Sequence, residues 1–233
     1  MRHADAVIAD AVGIADHVRE SYGRASYVIP YGAPIIEPGH GRLDELGLAP
    51  GGYHLVVARF EPENHVLEIV AGYVSSASTL PLVVVGSAPY SDDYTAAVQA
   101  AAEGDARVRL LGGVWDQELL DQLYAGAASY LHGHSVGGTN PSLLRAMGAG
   151  APVTAHDNVF NREVTGGRAR FFVDGPEVVA ALAADESDLA AAAARGAEGR
   201  AHVAACYRWD DVTDGYEQLA KELAAGQARR PRT

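Results

Sequence analysis

Short, continuously apolar runs alternate along this chain with longer stretches of helical periodicity. The runs lie at 27–30, 54–58, 82–86, 108–111, 129–132, 153–155 and 170–173. Helical spacing of apolar positions occurs near 13–22, 64–77, 92–103, 116–125, 141–150, 176–184, 187–207 and 209–224. Leu55-Val56-Val57 and Leu82-Val83-Val84-Val85 do not alternate between apolar and polar. An uninterrupted apolar strand is one buried on both faces, as inside a parallel sheet with helices on each side. The pattern predicts an α/β fold with a doubly wound, mostly parallel sheet. A helical pattern precedes the first strand, Tyr31-Gly32-Ala33-Pro34 reads as a turn, and 35–43 reads as an extended connector.

Length and composition bound the rest. The 233 residues suffice for one large or two small domains, and 48% hydrophobic with 21% charged residues is the balance of a folded chain. A net charge of -12 argues against nucleic acid as a partner. Cys206 is the only cysteine, which excludes an internal disulfide; it is expected on the apolar side of a helix. No apolar run approaches the ~18 residues of a membrane span. Met1-Arg2-His3-Ala4-Asp5 places an acidic residue where a signal peptide has an apolar core, so a cytoplasmic location is expected, including the inner face of the membrane.

Ligands of doubly wound sheets lie outside the carboxyl ends of the strands. Arg59 to Asn64, Gly86-Ser87-Ala88, Gly112-Gly113-Val114 and residues 132–140 and 156–163 all fall there. Residues 132–163 are the most informative stretch: an apolar run, a Gly-rich turn, a helix start at Pro141, a second apolar run and a polar turn. Gly137 and Gly138 allow close backbone approach, and Thr139 and Asn140 precede a proline suited to a first helical turn. The turn reads as a phosphate cradle or as an ordinary helix cap. Arg59 puts a guanidinium at the strand edge, to grip phosphate or to pair with Glu61 or Glu63. Glu163 reads as an acceptor for sugar hydroxyls or as a helix-start carboxylate, and Asp157 as a ligand contact or a turn former. His132 and His134 share one side if the strand continues; with no third metal ligand near them, a contact to sugar or phosphate, or a structural role, fits better. No nucleophile elbow, Gly-Lys-Ser/Thr phosphate loop or G-x-G-x-x-G fingerprint is present.

In combination these segments resemble the C-terminal, nucleotide-sugar-binding half of family-4 glycosyltransferases of the GT-B fold, especially the bacterial rhamnosyltransferase-like branch. The resemblance rests on Ala9-Asp10-Ala11-Val12-Gly13-Ile14, Tyr27-Val28-Ile29-Pro30-Tyr31-Gly32-Ala33, Val57 to Asn64, Val85-Gly86-Ser87-Ala88, Tyr130 to Leu144, Asp157 to Val164 and Tyr207 to Tyr216. It implies a Rossmann-like domain at 27–208, a remnant of the inter-domain segment at 1–26, a C-terminal crossover helix at 209–226 and a disordered tail at 227–233. It implies a retaining transferase that needs no cofactor or metal and takes a sugar from a nucleotide-diphosphate sugar to a glycan or lipid-linked acceptor. Arg59 and Glu163 would be catalytic; Gly86, His134, Gly137, Gly138, Thr139, Asn140 and Asp157 would bind the donor. Asn64 stands where many relatives have Lys, and Gly137 and Arg145 stand where they have two glutamates, the second of which contacts ribose. The acceptor domain of such an enzyme would precede this chain, so an isolated chain is expected to be inactive or weakly active. The missing half would act in trans, or the chain would dimerise. The other readings are a non-catalytic nucleotide-sugar-binding or subunit-interaction module and a sugar-nucleotide epimerase-like protein.

Overall fold

The computed structural model describes residues 4–37, 39, 41–87 and 91–226. The tail expected at 227–233, and Ala88 of the Val85 to Ala88 segment, lie outside the described residues.

The large sheet contains β3 (His54–Val57), β4 (Leu82–Val85), β5 (Val108–Gly112), β6 (Ser129–His132), β7 (Val153–His156) and β8 (Arg170–Phe172), in the order β5-β4-β3-β6-β7-β8. Every pairing in it is parallel. Strand order reverses between β3 and β6, the point at which doubly wound sheets offer a ligand crevice beyond the carboxyl ends of their strands.

Alternate side chains of the same strands enter two separate cores. Leu55, Val83, Val85, Tyr130, Val153 and Ala155 pack with side chains of α4 (Gln117–Ala125), α5 (Pro141–Gly148) and α8 (Leu189–Cys206). Val56, Leu82, Val84, Leu131 and Phe172 pack with those of α2 (Val66–Val74), α3 (Asp92–Ala102) and α7 (Gly175–Ser187). Residues one apart on a strand point to opposite faces, so strands covered on both sides must be apolar throughout. Buried His54 is satisfied by Ser129 Oγ at 2.7 Å and Glu186 at 2.9 Å.

The amino-terminal region differs from the sequence expectation. Tyr27–Val28 (β2) does not join the large sheet. It pairs in parallel with β1 (Ile8–Ala9), a strand too short to register in the apolar pattern, and α1 (Val12–Tyr22) connects the two. A 3-10 turn at Leu43–Leu46 ends the connector expected to be extended, and a second 3-10 turn occupies Pro62–Asn64. The turn expected at 156–162 runs into α6 (Val159–Thr165), capped by the Asn158 side chain and ended by Gly166 at φ 55°. Seven residues are too few for helical periodicity to show. Cys206 is exposed, not on the apolar side of α8. The last helix, α9 (Trp209–Ala224), buries only Leu219 and leaves Trp209, Tyr216 and Leu223 exposed. Among the described residues no helix is long and apolar enough to cross a membrane.

Candidate functional site

Two clefts open at the carboxyl edge of the sheet, the first at the reversal point and the second on the other side of β3, sharing Val57, Ala58 and Arg59. The first, about 190 Å³, is walled by the ends of β3 and β6, with Asn64, His134, Asn140 and Ser142 around it. The second, about 220 Å³, lies between the ends of β3, β4 and β5, with Gly86, Val114, Trp115 and Leu120 around it. The first is mainly polar in its residues. The second is mainly apolar, and Trp115 beside it is 93% exposed.

Arg59 leaves the sheet one residue beyond β3, and its side chain is exposed. Its carbonyl oxygen accepts from Glu61 N and from Asn64 Nδ2, each at 2.9 Å, which fixes the backbone that carries the guanidinium. Asn64 Oδ1 lies 2.7 Å from His134 Nδ1. Asn64 thus ties the cation-bearing turn to the loop after β6. His65, at φ 47°, places Nδ1 2.8 Å from the Gly133 carbonyl and stacks on His156 with ring centroids 4.2 Å apart. The His134 carbonyl accepts from both Asn158 Nδ2 and Asn161 Nδ2. Burial is the main cause that lowers the pKa of His134 and of His156, holding both rings neutral.

Gly86 has φ 149°, and a Cβ there would meet the Ala58 carbonyl oxygen at 1.7 Å; only glycine lets β4 turn so close to β3. Gly137 also has a left-handed φ of 90°. Close approach at Gly138 is to another part of the chain: a Cβ would meet Asp10 Oδ1 at 2.2 Å. The Thr139 hydroxyl, in a buried residue, donates to the Asp10 carbonyl. The segment between β1 and α1 therefore lies on the Gly-rich loop, and of residues 137–140 only Asn140 lines the first cleft. Asn140 caps α5, its Oδ1 accepting from Ser142 N at 2.9 Å.

Two expected acidic contacts are engaged elsewhere. Both carboxylate oxygens of Asp157 accept from Arg162, which holds this carboxyl below its ordinary range. Glu163 accepts from Val12 N at 2.7 Å and Gly13 N at 3.2 Å, so it caps the start of α1, which has no cap of its own. Neither residue lines either cleft. Arg145 turns toward α4 and donates to Asp121 Oδ1 at 2.7 Å. The structure thus gathers Arg59, Gly86, His134 and Asn140 around the paired clefts and keeps Gly137, Gly138, Thr139, Asp157 and Glu163 off their walls. Among the described residues no three His, Cys, Asp or Glu side chains are gathered as a metal site.

Sequence reasoning missed three participants. Tyr130 and Ser142 meet through their hydroxyls across twelve residues, a contact no local pattern announces. Trp115 did carry a signal: a tryptophan in a loop at the carboxyl edge of the sheet is costly to expose without a use.

Residues 53–195 match the family described as glycosyl transferases group 1. Over 128 residues the chain is 27% identical to O-antigen chain mannosyltransferase B of Escherichia coli, covering 53% of this chain and 33% of that one. Sucrose-phosphate synthase from Thermosynechococcus elongatus superposes with a TM-score of 0.83 at 22% identity, over 96% of this chain and 59% of that one. Anabaena HepE, in a structure with UDP and glucose, superposes with a TM-score of 0.80 at 21% identity, over 96% and 64%. At these identities the two structures show a shared fold. The chain spans about a third of the curated relative and less than two thirds of either solved chain.

Proposed function

The chain belongs to the glycosyl transferases group 1 family, and we propose that within it the chain is the donor-binding half of a retaining transferase acting on a nucleotide-diphosphate sugar. The observation that carries this reading is the position of Arg59, at the shared edge of a polar cleft at the strand-order reversal and an apolar cleft beside it. A nucleotide sugar has the matching division. Its base is a flat, largely apolar ring suited to Trp115, Val114 and Leu120; its diphosphate is an anion suited to a guanidinium; its sugar carries hydroxyls suited to the His134 and Asn140 side.

Breaking the bond between the anomeric carbon and the diphosphate leaves the electron pair on phosphate oxygen. Arg59 stabilises that growing charge from a fixed backbone position, which lowers the barrier without reorganisation during the reaction. Glu163 acts in this reading as a positioning residue, holding 10–13 against the Gly-rich loop. The sugar is a hexose or deoxyhexose, from the resemblance to rhamnosyltransferases and the mannosyltransferase relative. The acceptor, a glycan or a lipid-linked sugar, enters from the side of a second domain. A second reading, a module that clasps a partner subunit, is favoured by the exposed Trp209, Tyr216 and Leu223 of α9.

Calorimetric titration with UDP, GDP and dTDP separates the two. Donor binding predicts a micromolar to millimolar site that Arg59→Ala weakens about ten-fold or more, one charge-assisted contact being worth ~1.5–3 kcal/mol. Absence of binding at millimolar ligand, or an Arg59→Ala variant indistinguishable from the parent, refutes the donor-binding reading. Self-association in sedimentation without nucleotide binding would favour the second.

A further inference from the structure

The wall of the first cleft contains a buried imidazole nitrogen without a partner among the described residues. His132 lines that cleft and is 3% exposed, and its Nε2 makes no hydrogen bond. A buried polar atom left in this way is costly and points to a missing ligand group.

The proton positions follow from the neighbours. Asn140 Oδ1 accepts the Ser142 backbone N–H, which identifies that amide atom as oxygen. Ser142 Oγ lies 2.8 Å from the same oxygen, so the hydroxyl proton is directed there. Ser142 Oγ then accepts from Tyr130, whose hydroxyl is 3.1 Å away. Tyr130 has a single proton, directed to Ser142 Oγ or to the Val57 carbonyl at 3.4 Å, which can only accept, so toward His132 Nδ1, at 3.2 Å, its oxygen is an acceptor. Nδ1 therefore carries the imidazole proton. Burial, with His134 and His156 nearby, lowers the His132 pKa to about 3, so the ring is neutral and has no second proton. Nε2 is left as a bare lone pair.

A bare lone pair rejects an ionised phosphate oxygen, which has no proton to give, and accepts a hydroxyl. We propose that His132 Nε2 accepts a hydrogen bond from a hydroxyl on the sugar of the bound nucleotide sugar, and so discriminates among donors; this rests on the donor-binding reading. Arg59, in the same cleft, takes the anion. Tyr130, Ser142 and Asn140 are positioning residues that set the tautomer. A pocket built around such an acceptor favours a sugar with a hydroxyl at that position over its deoxy analogue, because the analogue leaves Nε2 unsatisfied.

The test uses the full chain and long-range imidazole nitrogen NMR spectra, which report the nitrogen that carries the proton. Without ligand, His132 is expected protonated at Nδ1 and bare at Nε2, and Tyr130→Phe is expected to remove that preference. UDP, GDP and dTDP should leave the Nε2 signal in place. Among UDP-glucose, GDP-mannose and dTDP-rhamnose, those that bind should shift it, and His132→Phe should weaken them about ten-fold without weakening the parent diphosphates. A proton on Nε2 in the free chain overturns the proposal, as does a nucleotide sugar that binds without moving Nε2. Failure of every diphosphate and nucleotide sugar to bind overturns the donor-binding reading, and the ligand assignment with it.

Discussion

Asp10 and Gly138 are in such close contact that a methyl group on residue 138 would sit 2.2 Å from the Asp10 carboxylate oxygen. The contact joins the β1–α1 segment to the loop before α5, and it accounts for the glycine without any ligand. Gly138→Ala is expected to push the Asp10 carboxylate aside and to cost about 1 kcal/mol in chemical denaturation, the low end for overpacking, because the contact is with a side-chain end. Asp10→Gly in the same chain should recover most of that loss. A Gly138→Ala variant as stable as the parent would contradict the packing.

Glu163 fastens the start of α1 from another element. Glu163→Gln keeps the shape and removes the charge that complements the first-turn amides. Local opening of α1 should become easier by about 1 kcal/mol. Hydrogen exchange is expected to speed up at 12–15 and to stay unchanged in β3 and β4. Unchanged exchange at Val12 and Gly13 would show that the carboxylate does not hold them.

Arg145 and Asp121 form a pair with side chains 27% and 25% exposed. Arg145→Glu, which installs the acidic residue the sequence resemblance implies at this position, sets two carboxylates against each other. The expected cost is roughly 1–3 kcal/mol, between the ranges for exposed and buried pairs. Asp121→Asn in that background should relieve much of it. Denaturant midpoints of the four variants measure the coupling; strictly additive effects would show none.

Several imidazoles are kept neutral by burial, and the sign of the pH response follows. His54, His132, His134, His156 and His202 all have lowered pKa values, with burial the largest cause in each. A folded value below the unfolded value of 6.5 means the unfolded chain binds the extra proton first. The neutral rings thus favour the folded state fully above about pH 6.5, and their contribution is lost as pH falls. For His132 the loss runs from 6.5 to about 3. Its share near pH 5.5 is about 1.4 kcal/mol, one pH unit of linkage. Urea unfolding at about pH 7.5 and about pH 5.5 should show the parent losing stability, and His132→Gln losing less. Stability that rises toward pH 5.5 would refute this account.

Much of the fold is written locally. Uninterrupted apolar strands such as Leu82-Val83-Val84-Val85 can be satisfied only with helices on both faces, and that requirement, with Pro141 behind Asn140 and Gly86 after β4, set the sheet, its parallel sense and the edge at which a ligand is expected. Arg59 was legible for the same reason, lying one residue past a strand end. What the chain could not announce were contacts between residues far apart in sequence. Asp10 meets Gly138, Glu163 meets Val12, Arg145 turns to Asp121, and Tyr130 joins His132 to Ser142. Each of those residues has the chemistry to touch a ligand and equally to hold the protein together. Sequence fixes the chemistry of a side chain, but the partner is chosen by packing, because an Asp or Glu can pair with a neighbouring guanidinium or a helix start as readily as with a ligand. The same packing leaves His132 Nε2 without a partner in the cleft wall, a distinction that exists only once the whole hydrogen-bond network is assembled.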